Sequence, residues 1–190
     1  MSWTQLELFT KSKKSFEDRY ILGKPAFNSE YISFGRNISH QLQYGIEDIV
    51  LDYLHDQTRR LPIKEYMLSA VIGDVPFIGY IDSADEDLTV IEEYKTAKTF
   101  WTKAKAESHK QPILYAAVAS IIKNNFEDRE VLLYNWQTNK DLLGQLYLTG
   151  EWKVFPRIVT VEEQQEVLKW FETVVNDIEN YYIYWIKNNV

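Results

Sequence analysis

Val75-Pro76-Phe77-Ile78-Gly79-Tyr80-Ile81-Asp82-Ser83, the polar Ala84-Asp85-Glu86-Asp87, and then Leu88-Thr89-Val90-Ile91-Glu92-Glu93-Tyr94-Lys95-Thr96 decide the fold. Two runs rich in β-branched and aromatic residues flank a short polar connection, the pattern of paired antiparallel strands. Tyr66 to Ile72, ending at the turn signal Gly73-Asp74, adds a strand in front of them. Three strands with short connections make an antiparallel meander. Side chains alternate along a strand, so Ile91, Glu93 and Lys95 share one face while Leu88, Val90, Glu92 and Tyr94 share the other. Asp82 lies on the preceding strand. A tight hairpin centred on Asp85-Glu86 sets Glu93 opposite Ile78 or Gly79, leaving a gap to Asp82 of about 10 Å. A bulge, twist or splay must close it, and Gly79 is the expected bend.

Outward from the meander the hydrophobic period changes to that of helices. Thr4 to Ile21 reads as one helix with a break near Ser12, ended by Gly23-Lys24-Pro25. Phe34 to His55 has Ile38, Leu42, Ile46, Ile49, Val50, Tyr53 and Leu54 at steps of three and four, which predicts one helix with a buried stripe. Glu107 to Ile122 returns to helical spacing, and Val131 to Trp136 reads as a short buried strand. Leu146-Tyr147-Leu148 and Val154-Phe155 are weaker strand signals. The last helix is expected over about 161–188, with Thr160 as cap and Glu162-Glu163 at its positive end. The order α-α-β-β-β-α-β, then a hairpin and a helix, predicts an α/β (α+β) protein with a mixed central sheet flanked by helices. At 190 residues and 22.5 kDa, one domain is expected over 1–190.

Composition narrows the chemistry. There is no Cys, which excludes disulfides, cysteine nucleophiles and cysteine-ligated clusters. No apolar run approaches the ~18 residues of a membrane span. The first residues lack a secretory apolar core, so the expectation is a cytoplasmic protein without membrane association. Asn37-Ile38-Ser39 fits a glycosylation sequon, which this expectation leaves without use. The net charge of -7 argues against a general phosphate-coating protein.

Asp82, Glu93 and Lys95 are the chemical focus. Two carboxylates from neighbouring strands beside a lysine suit a hard, oxygen-liganded cation such as Mg²⁺ or Mn²⁺. The lysine could then hold or deprotonate an attacking water, or stabilise a pentacovalent phosphate. Charged residues on a half-exposed hairpin are the alternative reading.

Gly79-x-x-Asp82 followed by Glu93-x-Lys95-Thr96 resembles the PD-(D/E)XK nucleases, in their RecB-like, lambda-type exonuclease branch. Gly35-x-x-x-x-His40 upstream is similar to that branch's glycine–histidine motif, with the glycine one residue farther away. Gln111-x-x-x-Tyr115 downstream resembles its helical motif, and Ser2 to Phe9 resembles its opening helix. The resemblance covers roughly residues 2–136. It implies a restriction-endonuclease-like αβββαβ core and a Mg²⁺- or Mn²⁺-dependent deoxyribonuclease. It also implies roles: Asp82, Glu93, the Tyr94 carbonyl and His40 as metal ligands, Lys95 on the water nucleophile, and Gln111 and Tyr115 lining the active site. The missing cysteines exclude the iron–sulfur members of that branch.

Charge by segment reconciles the acidic total with a DNA substrate. Lys95 to Lys110 holds five lysines against Glu107, a local +4, with Phe100 and Trp101 interleaved; residues 11–24 carry +3 and residues 161–190 carry -4. Arg36, Lys98, Trp101, Lys103 and Lys105 are therefore the expected DNA contacts, with the aromatic rings as stacking platforms. A solvated lysine loop is the alternative. His55 and His109 match no ligand spacing and read as surface. Val167, Phe171, Val174, Ile178, Tyr181 and Trp185 form a stripe read as core packing, with a subunit or partner interface as the alternative.

The expectation is an exonuclease acting on linear or single-stranded DNA ends in replication, recombination or repair, of phage or other mobile-element origin. A homo-oligomer or a recombination or replication partner protein would fit that role. A structure-selective or restriction-type endonuclease, or a catalytically silent DNA-binding or assembly protein, would use the same core.

Overall fold

The computed structural model describes residues 1–25 and 29–189. The N-terminal segment forms α1 (Trp3–Lys11) and α2 (Lys13–Phe16), followed by a π-helical turn over Glu17–Ile21. Ser2 caps α1 reciprocally with Gln5, and Ser12 both ends α1 and caps α2 through the Ser15 amide. The expected break at Ser12 is thus a cap that opens a new turn.

The single helix expected over residues 34–55 is instead two, α3 (Glu30–Tyr44) and α4 (Ile49–Asp56). Gly45 stops α3 at φ 141°, and the Asp48 carboxylate restarts the chain by accepting from the Val50 and Leu51 amides. The apolar spacing continues through the gap because both helices pack on the same face of the sheet, which hides the break from periodicity.

The sheet has five strands in the order β1 (Ile63–Ile72), β2 (Val75–Ala84), β3 (Val90–Ala97), β4 (Arg129–Lys140) and β5 (Leu146–Val159). The meander is antiparallel, β4 runs parallel to β3, and β5 returns antiparallel to β4. Between β3 and β4 lie α5 (Lys103–Ser108) and α6 (Lys110–Lys123), two helices where one was expected. The two weak strand signals are one continuous strand, and α7 runs from Val161 to Asn189.

Alternation along each strand feeds two cores. Leu68, Phe77, Ile81, Ile91 and Val131 pack with α1, α6 and α7, where Phe171, Val174 and Ile178 of the predicted stripe are buried. Leu132, Tyr134 and Trp136 face the other way, against Ile38 of α3 and Leu51 and Leu54 of α4. Fully buried Arg129 ties the first core together, donating to Ser120 Oγ and to the Leu88 and Asn125 carbonyls.

Candidate active site

The sheet is not uniformly zipped. β1 and β2 pair over nine residues and β3 and β4 over eight, but β2 and β3 pair only at Ser83–Glu92 and Ala84–Ile91. This register corrects the hairpin geometry expected from the sequence. The connection is wider than a tight turn: Leu88 adopts φ 59° and donates its amide to the Asp85 carbonyl, and the Asp85 carboxylate takes the Thr89 hydroxyl and the Val90 amide. The strands therefore align with Asp82 directly across from Glu93, and no 10 Å gap remains.

Beyond Ser83 the strands part, and the Asp82 side chain occupies the opening. Its Oδ2 accepts from the Tyr94 amide at 2.6 Å, so a carboxylate replaces a ladder carbonyl. Gly79 is not the bend; it sits in the regular β1–β2 ladder opposite Leu68. Its bare Cα makes room for Tyr115, whose Cε1 would lie 2.8 Å from an added Cβ.

On the α6-facing side of β3, Lys95 Nζ donates to Glu93 Oε1 at 2.6 Å and to Gln111 Oε1 at 3.0 Å. Gln111 Nε2 donates in turn to the Tyr115 hydroxyl at 3.1 Å. Glu93 is only 3% exposed, and its Oε2 is buried without a hydrogen-bond partner. Burial, then the neighbouring Glu93 charge, raises the Asp82 carboxyl well above the usual range. Burial opposes the charge on Lys95, but Glu93 and Asp82 outweigh it, and its pKa is raised. In this setting Lys95 donates its hydrogen bonds as an ammonium, held between Glu93 and Gln111.

These groups open onto a cleft of about 820 Å³ lined by Asp82, Glu93, Lys95 and Gln111 from the floor and by Gly35, Arg36, Ser39 and His40 of α3 as its wall. α3 comes close to β3 at Gly35, where an added Cβ would meet Thr96 Oγ1 at 3.8 Å. The glycine–histidine motif, the carboxylate–lysine motif and Gln111 therefore share one site.

Several expected roles change. His40 reaches the cleft from its exposed rim, with its ring 4.8 Å from that of Tyr44. Among the described residues no group of three His, Asp and Glu side chains is gathered tightly enough to cage a metal ion, so His40 does not close a ready ligand set with Asp82 and Glu93. Tyr115 lies behind the cleft, buried against Phe77, and its hydroxyl accepts from Gln111. The Tyr94 amide holds Asp82, while its ring stacks on Trp136 and its hydroxyl donates to buried Glu92 on the opposite face.

The expected DNA track is divided. Arg36 lines the cleft. Lys98 faces a small separate hollow beside Tyr31 and Lys140. Lys103 pairs with Glu107 at 3.6 Å and borders another hollow, between α5 and β5. Lys105 lies over the Trp101 ring at 4.0 Å, so that face of Trp101 already carries a cation. His109, expected on the surface, is wedged edge-on against Trp3 and Trp101.

The residue that sequence reasoning missed is Glu65. It lies on β1 opposite Asp82, lines the same cleft and adopts φ 48°. Burial, then Glu93, raises its pKa. The signal was present: a two-residue hairpin at Gly73-Asp74 pairs Ile72 with Val75, and counting back from that pair sets residue 65 against residue 82.

The donors fit a hard divalent cation. They are carboxylate oxygens carried on neighbouring strands, and one of them, Glu93 Oε2, is buried with no partner to satisfy it.

No family model and no curated protein matches the chain. A solved structure from Eubacterium rectale, provisionally described as an exonuclease, superposes with a TM-score of 0.59 and 11% sequence identity. The alignment covers 99% of this chain and 81% of that one. The two proteins share a fold. That fold is an α/β core, a mixed five-stranded sheet flanked by helices. No described helix is long and apolar enough to cross a membrane.

Proposed function

We propose that the chain is a metal-dependent deoxyribonuclease of the PD-(D/E)XK type, closest in its motifs to the RecB-like branch. One observation carries the reading: Asp82 and Glu93 stand across a parted pair of strands, with Lys95 fixed on Glu93 and Glu93 Oε2 left unpartnered. The fold shared with a protein provisionally described as an exonuclease supports it.

Asp82 and Glu93 would hold Mg²⁺ or Mn²⁺, with the Tyr94 carbonyl as a further oxygen donor. The cation would supply Lewis-acid stabilisation of phosphoryl charge and lower the pKa of bound water. The chain's own groups do the positioning. Gln111, oriented by Tyr115, fixes the Lys95 ammonium at the floor of the cleft. From there Lys95 can donate to an attacking water or to a non-bridging phosphate oxygen. In hydrolysis the water oxygen bonds to phosphorus and gives up one proton, the phosphorus–oxygen bond to the leaving strand breaks, and the leaving oxygen takes up one proton, so one water is consumed per bond cut. Arg36 on α3 lies where it can meet the backbone of the strand entering the cleft.

The test is to incubate the purified chain with end-labelled linear, nicked and circular DNA, with Mg²⁺ or Mn²⁺ and with chelator, beside Lys95→Ala. The reading expects metal-dependent cleavage that the variant loses, with linear DNA degraded from its ends. Cleavage of circular DNA would identify an endonuclease on the same site. No metal-dependent cleavage of any form, or an equally active Lys95→Ala, would overturn the assignment.

A further inference from the structure

Glu65 lines the same cleft as Asp82 and Glu93 from β1. It falls between two β1–β2 ladder pairs, Lys64–Ser83 and Tyr66–Ile81, and makes no pair itself. Its φ of 48° is a left-handed conformation that residues with a side chain seldom adopt. Neither a hydrogen bond nor an ion pair to the described residues holds its carboxylate, although it lines the cleft with Asp82 and Glu93. Lys95 is committed to Glu93 and Gln111. The other cation of the cleft, Arg36, lies on its exposed wall. Independently, Glu93 Oε2 in the same cleft is buried with no partner. The cleft thus gathers three carboxyl groups, one of which has a buried oxygen without a partner, against one committed lysine and one exposed arginine.

We propose that Glu65 is an outer ligand of the divalent-cation site, holding the water carried by the cation that Asp82 and Glu93 bind. Among the described residues no three acidic or histidine side chains form a tight cage, which favours contact through water over direct ligation. Mg²⁺ in particular sheds its water reluctantly and is commonly held by one or two carboxylates with the remaining ligands hydrated. The left-handed backbone at residue 65 marks where a glycine would fit better, so the side chain is present at a conformational disadvantage. This inference rests on the nuclease reading of the same cleft.

Isothermal titration of the chain with Mn²⁺ tests it, comparing wild type, Glu65→Gln and Glu65→Gly and following the fold of each by circular dichroism. Binding by wild type, weakened roughly tenfold or more in both variants, is the expected result. Thermal melting of the metal-free Glu65→Gly protein should be at or above the wild-type temperature, which separates loss of affinity from loss of fold. Equal Mn²⁺ affinity in wild type and both variants would overturn the role of Glu65 and leave the nuclease reading standing. Absence of Mn²⁺ binding by wild type would overturn both.

Discussion

The backbone amide of Tyr94 donates to Asp82 Oδ2 at 2.6 Å, where a sheet would ordinarily supply a carbonyl. Asp82 is therefore both a structural acceptor and a proposed metal ligand, and two substitutions separate the roles. Asp82→Asn keeps an acceptor oxygen and removes a charge whose burial is unfavourable, so its melting temperature should equal or exceed that of the metal-free wild type. Asp82→Ala orphans the Tyr94 amide and should lose about 1–3 kcal/mol in urea unfolding. Both should abolish metal-dependent cleavage. Retained cleavage by Asp82→Asn would remove Asp82 from the site.

Gln111 links Lys95 to Tyr115. Removing it in Gln111→Ala frees Lys95 to move and should slow cleavage by roughly 100-fold. Tyr115→Phe takes away only the acceptor behind Gln111 and should act more weakly. In the double variant the two losses should not add, because both act through the same ammonium. Additive rate losses in single-turnover assays would show that Tyr115 reaches the substrate directly.

Gly79 is held to hydrogen by a tyrosine ring. Gly79→Ala places a Cβ 2.8 Å from Tyr115 Cε1 and within 3.2 Å of two Phe77 ring atoms. The expected cost is about 1–3 kcal/mol of stability. Pairing it with Tyr115→Val should recover part of that loss in chemical denaturation; a neutral Gly79→Ala would contradict the packing.

His109 supplies a pH signature. Burial, and then the charge of Lys95, push it down to about 4 from an ordinary 6.5. Between those values the folded chain binds fewer protons than the unfolded one. The stability tied to neutral His109 is thus complete above pH 6.5 and is lost as pH falls through 4, on the order of 3 kcal/mol. His109→Phe keeps an aromatic edge against Trp3 and Trp101 without the proton. Urea midpoints measured from pH 7.5 to 4 should fall less steeply in the variant; parallel curves would refute the assignment.

Arg36 and Lys103 distinguish the cleft from the surface lysines. Arg36→Ala should weaken DNA binding across sequences and reduce the salt slope by about one. Lys103, exposed and paired with Glu107, should leave affinity within about twofold when changed to alanine. Fluorescence anisotropy at several salt concentrations reads both, and the reverse order would relocate the DNA path to α5.

The strands, their alternation and the sharing of a face by Glu93 and Lys95 were legible because period two and polar turns are local signals. The break at Gly45 was not, since α3 and α4 bury residues on one face and their spacing runs on across the gap. The register of Asp82 against Glu93 was lost for a different reason. It depends on Asp85 folding the connection around its own carboxylate and on the left-handed Leu88, and neither follows from strand propensity. The lysine run reads as one track, but the bend at Lys98-Thr99 and the separate α5 scatter it over different surfaces. Tyr115 was sequence-adjacent to the site by helical spacing, and only packing against Gly79 and Phe77 shows that it stands behind it.

The two-pair contact between β2 and β3 makes the sheet nearly two sheets, one of β1 and β2 and the other of β3, β4 and β5. Each half contributes one of the facing carboxylates, so an ion between Asp82 and Glu93 would act as a clasp across a seam. Such a seam can open or narrow without breaking ladder bonds in either half. Loading the clasp should slow amide exchange at Tyr94 and along the facing edges of β2 and β3, leaving the β4–β5 hairpin unchanged.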